Sequence, residues 1–416
     1  MTKRCWVSLS LSVASIFLLL AMALAQSNNR QPAAWIAFER EQEIDLALSA
    51  APEHLRAQAG VFVLQKGGYV RVRESRNGFT CLVQRGRDPK TGHLQTVPLC
   101  FDAEGTATNL RTLLRTRELA EQGESEAKIE QLIAEEYRTG QLQAPRRPGI
   151  VYALSSFLAY DQQTGNTHQV VPPFVLIYAP FATRADLGIL PEHQGNSSHP
   201  YLINEGKPNA YILVTPNRQP GIYKPETTAT MESEHKPLTK AGEIELALSA
   251  APEHLRAQAG VFVLEGGNYV KARESRNGFN CLVGRADNIL DPMCLDREGS
   301  QTTMQAVMRR SQLSAQGKSW AEINRTLAAE LRAGTLKPPR RSGITYMLSQ
   351  NFHSHDPKTG RREVIFVPHL MFYAPYLKNA DIGALPEQVN SLSQPFILSE
   401  GDAFAFLIIV PNGEGK

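Results

Sequence analysis

The sequence predicts an α+β protein made of two homologous tandem domains, each a mainly antiparallel sheet with a helical hairpin and one disulfide. Three observations predict it. The segment Glu43–Leu64 returns almost unaltered as Glu243–Leu264, and Arg73–Phe79 returns as Arg273–Phe279, so the chain is an internal duplication whose copies share one architecture. Within each copy, β-patterned runs are followed by two amphipathic helical segments and then by further β runs, an order that belongs to the α+β class. Each copy also carries one cysteine pair at matching places, in Asn-Gly-Phe-x-Cys and then Cys-x-Asp-x-Glu-Gly.

At the N-terminus, Lys3 and Arg4 precede an apolar run from Trp6 to Leu24, and Ala23-Leu24-Ala25 supplies small residues two apart. This is the pattern of a secretory signal cleaved before Gln26. The expected division is a signal peptide over 1–25, an N-terminal segment over 26–42, repeat unit 1 over 43–217, a linker over 218–242 and repeat unit 2 over 243–413. The linker reading rests on Pro220, Pro225, Thr227, Thr228, Glu232 and Pro237 in a polar stretch without periodicity. No second apolar run has the length of a transmembrane segment, so the mature chain is expected to be secreted or periplasmic.

Each unit opens with an Ala- and Leu-rich segment broken by Pro52 or Pro252, with a short helix expected at Glu53–Arg56 and its counterpart. Strands follow at Val61–Leu64 and Tyr69–Ser75 around a Gly67-Gly68 turn. Asn77-Gly78 then signals a hairpin whose partner strand is Phe79–Val83. Leu110, Leu113 and Leu114 mark a first helix ending before Gly123. Ser125 begins a second, with Ile129, Leu132, Ile133 and Tyr137 on one face. In unit 2, Ser319 and Glu322 form a capping box, with Trp320, Ile323, Leu327 and Leu331 expected inward. Strands at Ile150–Leu154, Val170–Tyr178, Tyr201–Asn204 and Ala210–Thr215 complete unit 1, interrupted by a short helix at Ala185–Gly188.

Lys and Arg total 44 against 41 Asp and Glu, a net charge of +3 with the two signs intermixed. This leaves no basic stripe, and nucleic acid is excluded as a partner. Of the 5 cysteines, Cys5 lies within the signal. The repeat pairs the others as Cys81–Cys100 and Cys281–Cys294, since an even set in an oxidising compartment forms disulfides. Each bridge closes a loop short enough to contribute about 3 kcal/mol.

No phosphate loop, nucleophile elbow, CxxC or HExxH stands in either copy. Two constellations remain. Arg146 and Arg147, matched by Arg340 and Arg341, offer guanidinium groups beside a glycine turn and form a candidate anion-binding site. In unit 2 alone, His353 and His355 share one face of an extended run, and His369 lies on what is expected to be the adjoining strand across a turn at Asp356–Gly360. Three imidazoles with an open position suit a divalent metal such as zinc. The leading functional expectation is a tandem binding or interaction module of the cell envelope or exterior, gaining avidity from its two copies. The alternative is a metal-assisted hydrolase using His353, His355 and His369, and a third reading is a structural protein of the envelope.

Overall fold

The computed structural model describes residues 38–87, 91–155, 157–224, 238–286, 289–355 and 362–412. The signal peptide expected over 1–25 and the turn at Asp356–Gly360 lie outside them. Repeat 1 runs α1 (Arg40–Ser49), α2 (Glu53–Arg56), β1 (Gly60–Gln65), β2 (Gly68–Arg73), β3 (Thr80–Arg87), β4 (Leu94–Phe101), α3 (Ala103–Ala107), α4 (Asn109–Glu121) and α5 (Glu126–Thr139). It continues with β5 (Ile150–Ala153), β6 (Phe157–Tyr160), β7 (Thr167–Val171), β8 (Phe174–Tyr178), α6 (Arg184–Leu187), β9 (Tyr201–Ile203) and β10 (Tyr211–Val214). Repeat 2 follows the same order as α7 (Lys240–Ser249), α8 (Glu253–Arg256), β11 (Gly260–Glu265), β12 (Asn268–Arg273), β13 (Asn280–Ala286), β14 (Ile289–Leu295), α9 (Arg297–Gln301), α10 (Thr303–Ala315) and α11 (Trp320–Arg332). It closes with β15 (Ile344–Met347), β16 (His353–His355), β17 (Arg362–Val364), β18 (His369–Tyr373), a 3₁₀ turn at Asn379–Ile382, β19 (Phe396–Leu398) and β20 (Phe406–Ile409).

Each repeat folds its strands into one mixed, mostly antiparallel 10-stranded sheet, in the order β2-β1-β3-β4-β5-β8-β10-β9 and its counterpart, with a β6–β7 hairpin leaning on the outer half of β4. The α+β class, the helix pair and the two disulfides are as the sequence predicts. Cys81 faces Cys100 across β3 and β4, and Cys281 faces Cys294 across β13 and β14. All four cysteines are fully buried. Among the described residues, no helix is long and apolar enough to cross a membrane.

Three local expectations are corrected. Asn77-Gly78 does not close a hairpin: β2 pairs with β1, whereas β3 passes to the other side of β1 and pairs with it in parallel at Gly60 and Val61. The reason is the Asn77 side chain, which donates to Leu55 O (2.9 Å) and accepts from Phe79 N (3.1 Å). It hooks the chain back to α2 instead of turning it onto β2. Trp320 is 48 % exposed and lies under the Arg310 guanidinium, while Ile323 and Leu327 go inward. The Val170–Tyr178 run is two strands, β7 and β8.

Residues Phe38–Lys416 form one compact unit, and the largest apolar core is continuous through both repeats. The halves meet by reciprocal contacts. His54 Nε2–H donates to Gly383 O (2.7 Å) and His254 Nε2–H to Gly188 O (2.8 Å). Tyr152 OH donates to Ile382 O (2.7 Å) and Tyr346 OH to Leu187 O (2.8 Å). Asn217 N donates to Val410 O and Asn412 N to Thr215 O. Such exchange of equivalent contacts is the signature of an isologous dimer, here within one chain. Part of the expected linker is also anchored: Tyr223 N donates to Asn390 O, and its ring stands edge-on to Phe366 at 5.4 Å.

Gly188 and Gly383 sit at the seams between the halves, with φ +63° and +69°. A Cβ on Gly188 would lie 2.7 Å from Leu255 Cδ1, and one on Gly383 would lie 2.5 Å from Leu55 Cδ1. Replacing either by alanine adds left-handed strain to overpacking, and a loss of about 2–4 kcal/mol is expected in chemical denaturation. A protease site inserted within residues 225–237 and cut in the folded protein should leave the halves co-eluting on size exclusion until denaturant is added. Separation on cutting alone would contradict a shared core.

Candidate functional site

The later half of each repeat is organised by one buried carboxylate. Asp102 caps α3 through Gly105 N (2.8 Å), accepts from Ile150 N (2.7 Å) and receives the Tyr178 hydroxyl (2.7 Å). Asp296 repeats this with Gly299 N, Ile344 N and Tyr373 OH. Burial pushes both carboxyls up to about 7, against the pull of these donors toward the ionised form. Tyr178 approaches so closely that a Cβ on Gly105 would fall 2.0 Å from its hydroxyl oxygen. The paired Cys-x-Asp-x-Glu-Gly and Tyr-Ala-Pro motifs are thus two ends of one contact.

Immediately beyond Tyr178 the chain makes a turn that neither repeat builds from ordinary turn residues. Ala182 N donates to Ala179 O, and Leu377 N to Ala374 O, closing Ala179-Pro-Phe-Ala182 and Ala374-Pro-Tyr-Leu377. Phe181 and Tyr376 hold the third position with φ +62° each. Proline second and positive φ third describe a type II turn, whose third residue is normally glycine or asparagine. A bulky aromatic there carries about 1–2 kcal/mol of strain. Packing does not offset it, because Phe181 is 60 % and Tyr376 54 % exposed.

The turn is locked from both sides. Phe181 N donates to Lys207 O (2.9 Å) and Gly206 N to Ala182 O (2.9 Å), while Tyr376 N donates to Asp402 O and Gly401 N to Leu377 O (2.8 Å each). Glu205 accepts Arg184 N (2.7 Å) and Glu400 accepts Asn379 N (2.9 Å), covering the N-terminus of the following helical turn. Asp186 and Asp381 close the same turns onto Thr183 N and Lys378 N. Ion pairs lie on the same connections: Arg184 bridges Glu205 (2.9 Å), and Lys207 bridges Glu130 (2.6 Å).

The arginine pairs stand nearby in the fold. Glu104 Oε1 accepts Arg146 N (2.7 Å) and Arg147 N (3.4 Å), and Glu298 Oε1 accepts Arg340 N (2.6 Å). The backbone donors of the first turn therefore serve an internal carboxylate, as does Arg340 N. All four side chains are exposed, and Arg147 reaches across the repeats to within 3.8 Å of Asp381, on the Tyr376 loop.

The histidine constellation is arranged differently from the expectation. β16 pairs with β14 and β17, so the hairpin partner of His353 and His355 is Arg362–Val364; His369 lies on β18, between β15 and β20. His353 and His369 are buried, and each donates Nδ1–H to the carbonyl two residues before it, Asn351 O and Val367 O (2.8 Å each). Burial lowers the His369 pKa to about 4, keeping that ring neutral against Phe366 (5.1 Å). The His355 side chain lies outside the description. Among the described residues, no three His, Cys, Asp or Glu side chains are grouped to hold a metal ion.

The aromatic turns were not foreseen in the sequence. Tyr178-Ala-Pro180 and Tyr373-Ala-Pro375 are visible as a pair, and the signal was the next residue, where proline predicts a glycine that is absent. Compared with known proteins, the chain matches no family model, no curated protein and no solved structure.

Tyr178→Phe should cost about 1–3 kcal/mol by leaving Asp102 a donor short. Both aspartates have folded-state pKa values raised from 3.8, so their share of stability is complete below about pH 4 and declines as pH rises toward about 7. Urea titrations across that window should show the slope reduced in Asp102→Asn; an unchanged slope would remove Asp102 as its source.

Proposed function

We propose that this is an exported tandem binding protein whose two repeats present matched aromatic contact surfaces to a ligand of the envelope or exterior. The observation that carries the proposal is the strained, solvent-exposed ring of Phe181 and its counterpart Tyr376. Strain without packing return, at the same turn of two diverged copies, is a mark of a functional contact site. An exposed aromatic ring on a loop that also carries ion-paired residues suits a ligand that offers a flat apolar face with polar groups at its edge. The exposed Arg147 guanidinium, within 3.8 Å of Asp381 on the Tyr376 loop, adds a cationic group beside that surface. Buried disulfides accord with an oxidising compartment outside the cytoplasm. Two surfaces on one compact unit favour repetitive ligands through effective concentration.

Glycine at both turns separates a binding role from a structural one. Relief of about 1–2 kcal/mol of left-handed strain outweighs the roughly 0.5–1 kcal/mol entropic cost of glycine. The Phe181→Gly/Tyr376→Gly protein should therefore melt at or above the wild-type temperature while losing retention on immobilised envelope polysaccharide and envelope protein. A clear fall in melting temperature, or retention equal to wild type, would dismiss the reading.

A further inference from the structure

The seams that join the repeats are built alike but not from the same residues. Where α8 of repeat 2 meets repeat 1, three imidazoles gather. His193 lies stacked on His199 with 4.3 Å between ring centroids, and edge-on to His254 at 5.5 Å. At the opposite seam, where His54 donates to Gly383 O, the places of His193 and His199 are held by Gln388 and Gln394.

His193 and Gln388 do the same local work. His193 Nδ1 accepts Leu190 N–H (3.3 Å), and Gln388 Oε1 accepts Leu385 N–H (2.8 Å). Each closes the 3₁₀ turn it belongs to, Pro191–His193 or Pro386–Gln388. An amide oxygen keeps its lone pairs at every pH. An imidazole that gains a proton carries hydrogen on both nitrogens and has no acceptor left. The Leu190 contact is then lost, and a charge arises on a residue only 8 % exposed, against a stacked second imidazole.

The titratable groups around His193 are Glu192 on its own turn, His199 on the approach to β9 and His254 on α8. Burial is the largest influence lowering its pKa, followed by the two imidazoles, with Glu192 opposing. The stability this seam contributes is complete above the ordinary imidazole range and is lost as pH falls below it, through the lowered folded-state value. The same loop connects the seam to the aromatic turn, since Gly188, whose carbonyl accepts from His254, ends the helix that begins three residues after Phe181.

We propose that acidification loosens the His193–His199–His254 seam and with it the Phe181 loop, while the glutamine seam and the Tyr376 loop stay closed. One of the two surfaces is thereby made pH-responsive. Only the description of these loops as binding surfaces rests on the function proposed above; the opening of the seam stands apart from it.

Hydrogen exchange read by mass spectrometry on the intact chain tests this, comparing peptides over 179–203 and 374–398 at about pH 7.5 and about pH 5, with times scaled for intrinsic exchange. Protection of the first peptide should fall about tenfold relative to the second on acidification. Asp102 and Asp296 occur in both repeats and cancel in the comparison. His369 and Asp291 are buried in repeat 2 alone. Neutral His369 weakens that repeat in acid and opposes the expected difference. Asp291, its carboxyl pushed up to about 7 by burial, strengthens it in acid and acts in the same direction as the expected difference, so the glutamine variant decides. His193→Gln with His199→Gln, a copy of the second seam, should abolish the fall. Gln388→His with Gln394→His should create one in the second peptide, which keeps the test decisive should the first variant fold poorly. Equal changes in both wild-type peptides, or a fall that survives the glutamine variant, would overturn the proposal. If the seam opens in acid while the glycine-turn variant still binds envelope material, this inference holds and the binding role fails.

Discussion

A carboxylate withdrawn from water has to be given donors, and the way Asp102 and Asp296 are satisfied decides much of each repeat. The donors come from three directions: the first turn of α3, the start of β5 and the end of β8. Meeting them together fixes the far end of the disulfide-linked β3–β4 pair against the middle of the sheet. It also requires Gly105, because the tyrosine hydroxyl occupies the space a side chain would take. An unpaired buried donor or acceptor costs more than a made hydrogen bond returns, so this junction tolerates little relaxation. The neighbouring Glu104, holding Arg146 N, extends it to the loop before β5. The aromatic turn begins at the next residue after Tyr178 and inherits that rigidity, which is what allows a ring to be held in an unfavourable backbone conformation.

The second organising fact is that the repeats complete one another. His54, Leu55, Phe79 and Tyr152 meet the segment around Gly383, and their equivalents meet the segment around Gly188. Near-identity of the opening segments marks the chain, from sequence alone, as an internal duplication. The structure supplies a physical reason for it, since these segments furnish the side chains that recognise the other half. A residue on this surface is felt in the continuous core of both repeats.

What was legible in the sequence follows from where its signals are generated. Helices α5 and α11 announce themselves because Ser125 and Ser319 cap them and their apolar faces recur at helical spacing. The disulfides were legible because duplication restricts the pairing. Asn77-Gly78 misled because an asparagine side chain can serve either a hairpin or a long-range hook, and the choice lies with Leu55 O, 22 positions away. Trp320 misled because amphipathic spacing does not anticipate a guanidinium that lies over an outward-facing ring. The histidine constellation depended on which strands become neighbours, and sheet order is not encoded in alternation. The aromatic turns escaped because a rule broken at one residue is seen only once the turn's hydrogen bond is known.

The departures from symmetry show what covalent fusion makes available. In a dimer of identical chains every substitution appears at both seams, so a titrating imidazole cluster would weaken both at once. In this chain the substitutions are independent. Gln388 and Gln394 stand where the other seam has His193 and His199, Asp291 and Arg310 stand where repeat 1 has Val97 and Thr116, and His353 and His369 stand where it has Leu158 and Phe174. The shared core keeps the halves together while one seam changes its charge, because the Gln388 amide and the backbone links at Asn217 and Asn412 carry no titrating group. A two-fold arrangement with one responsive side is therefore a state that fusion permits and self-association does not. The same logic lets each aromatic turn diverge, phenylalanine in one and tyrosine with its added hydroxyl in the other, without disturbing the junction that positions both.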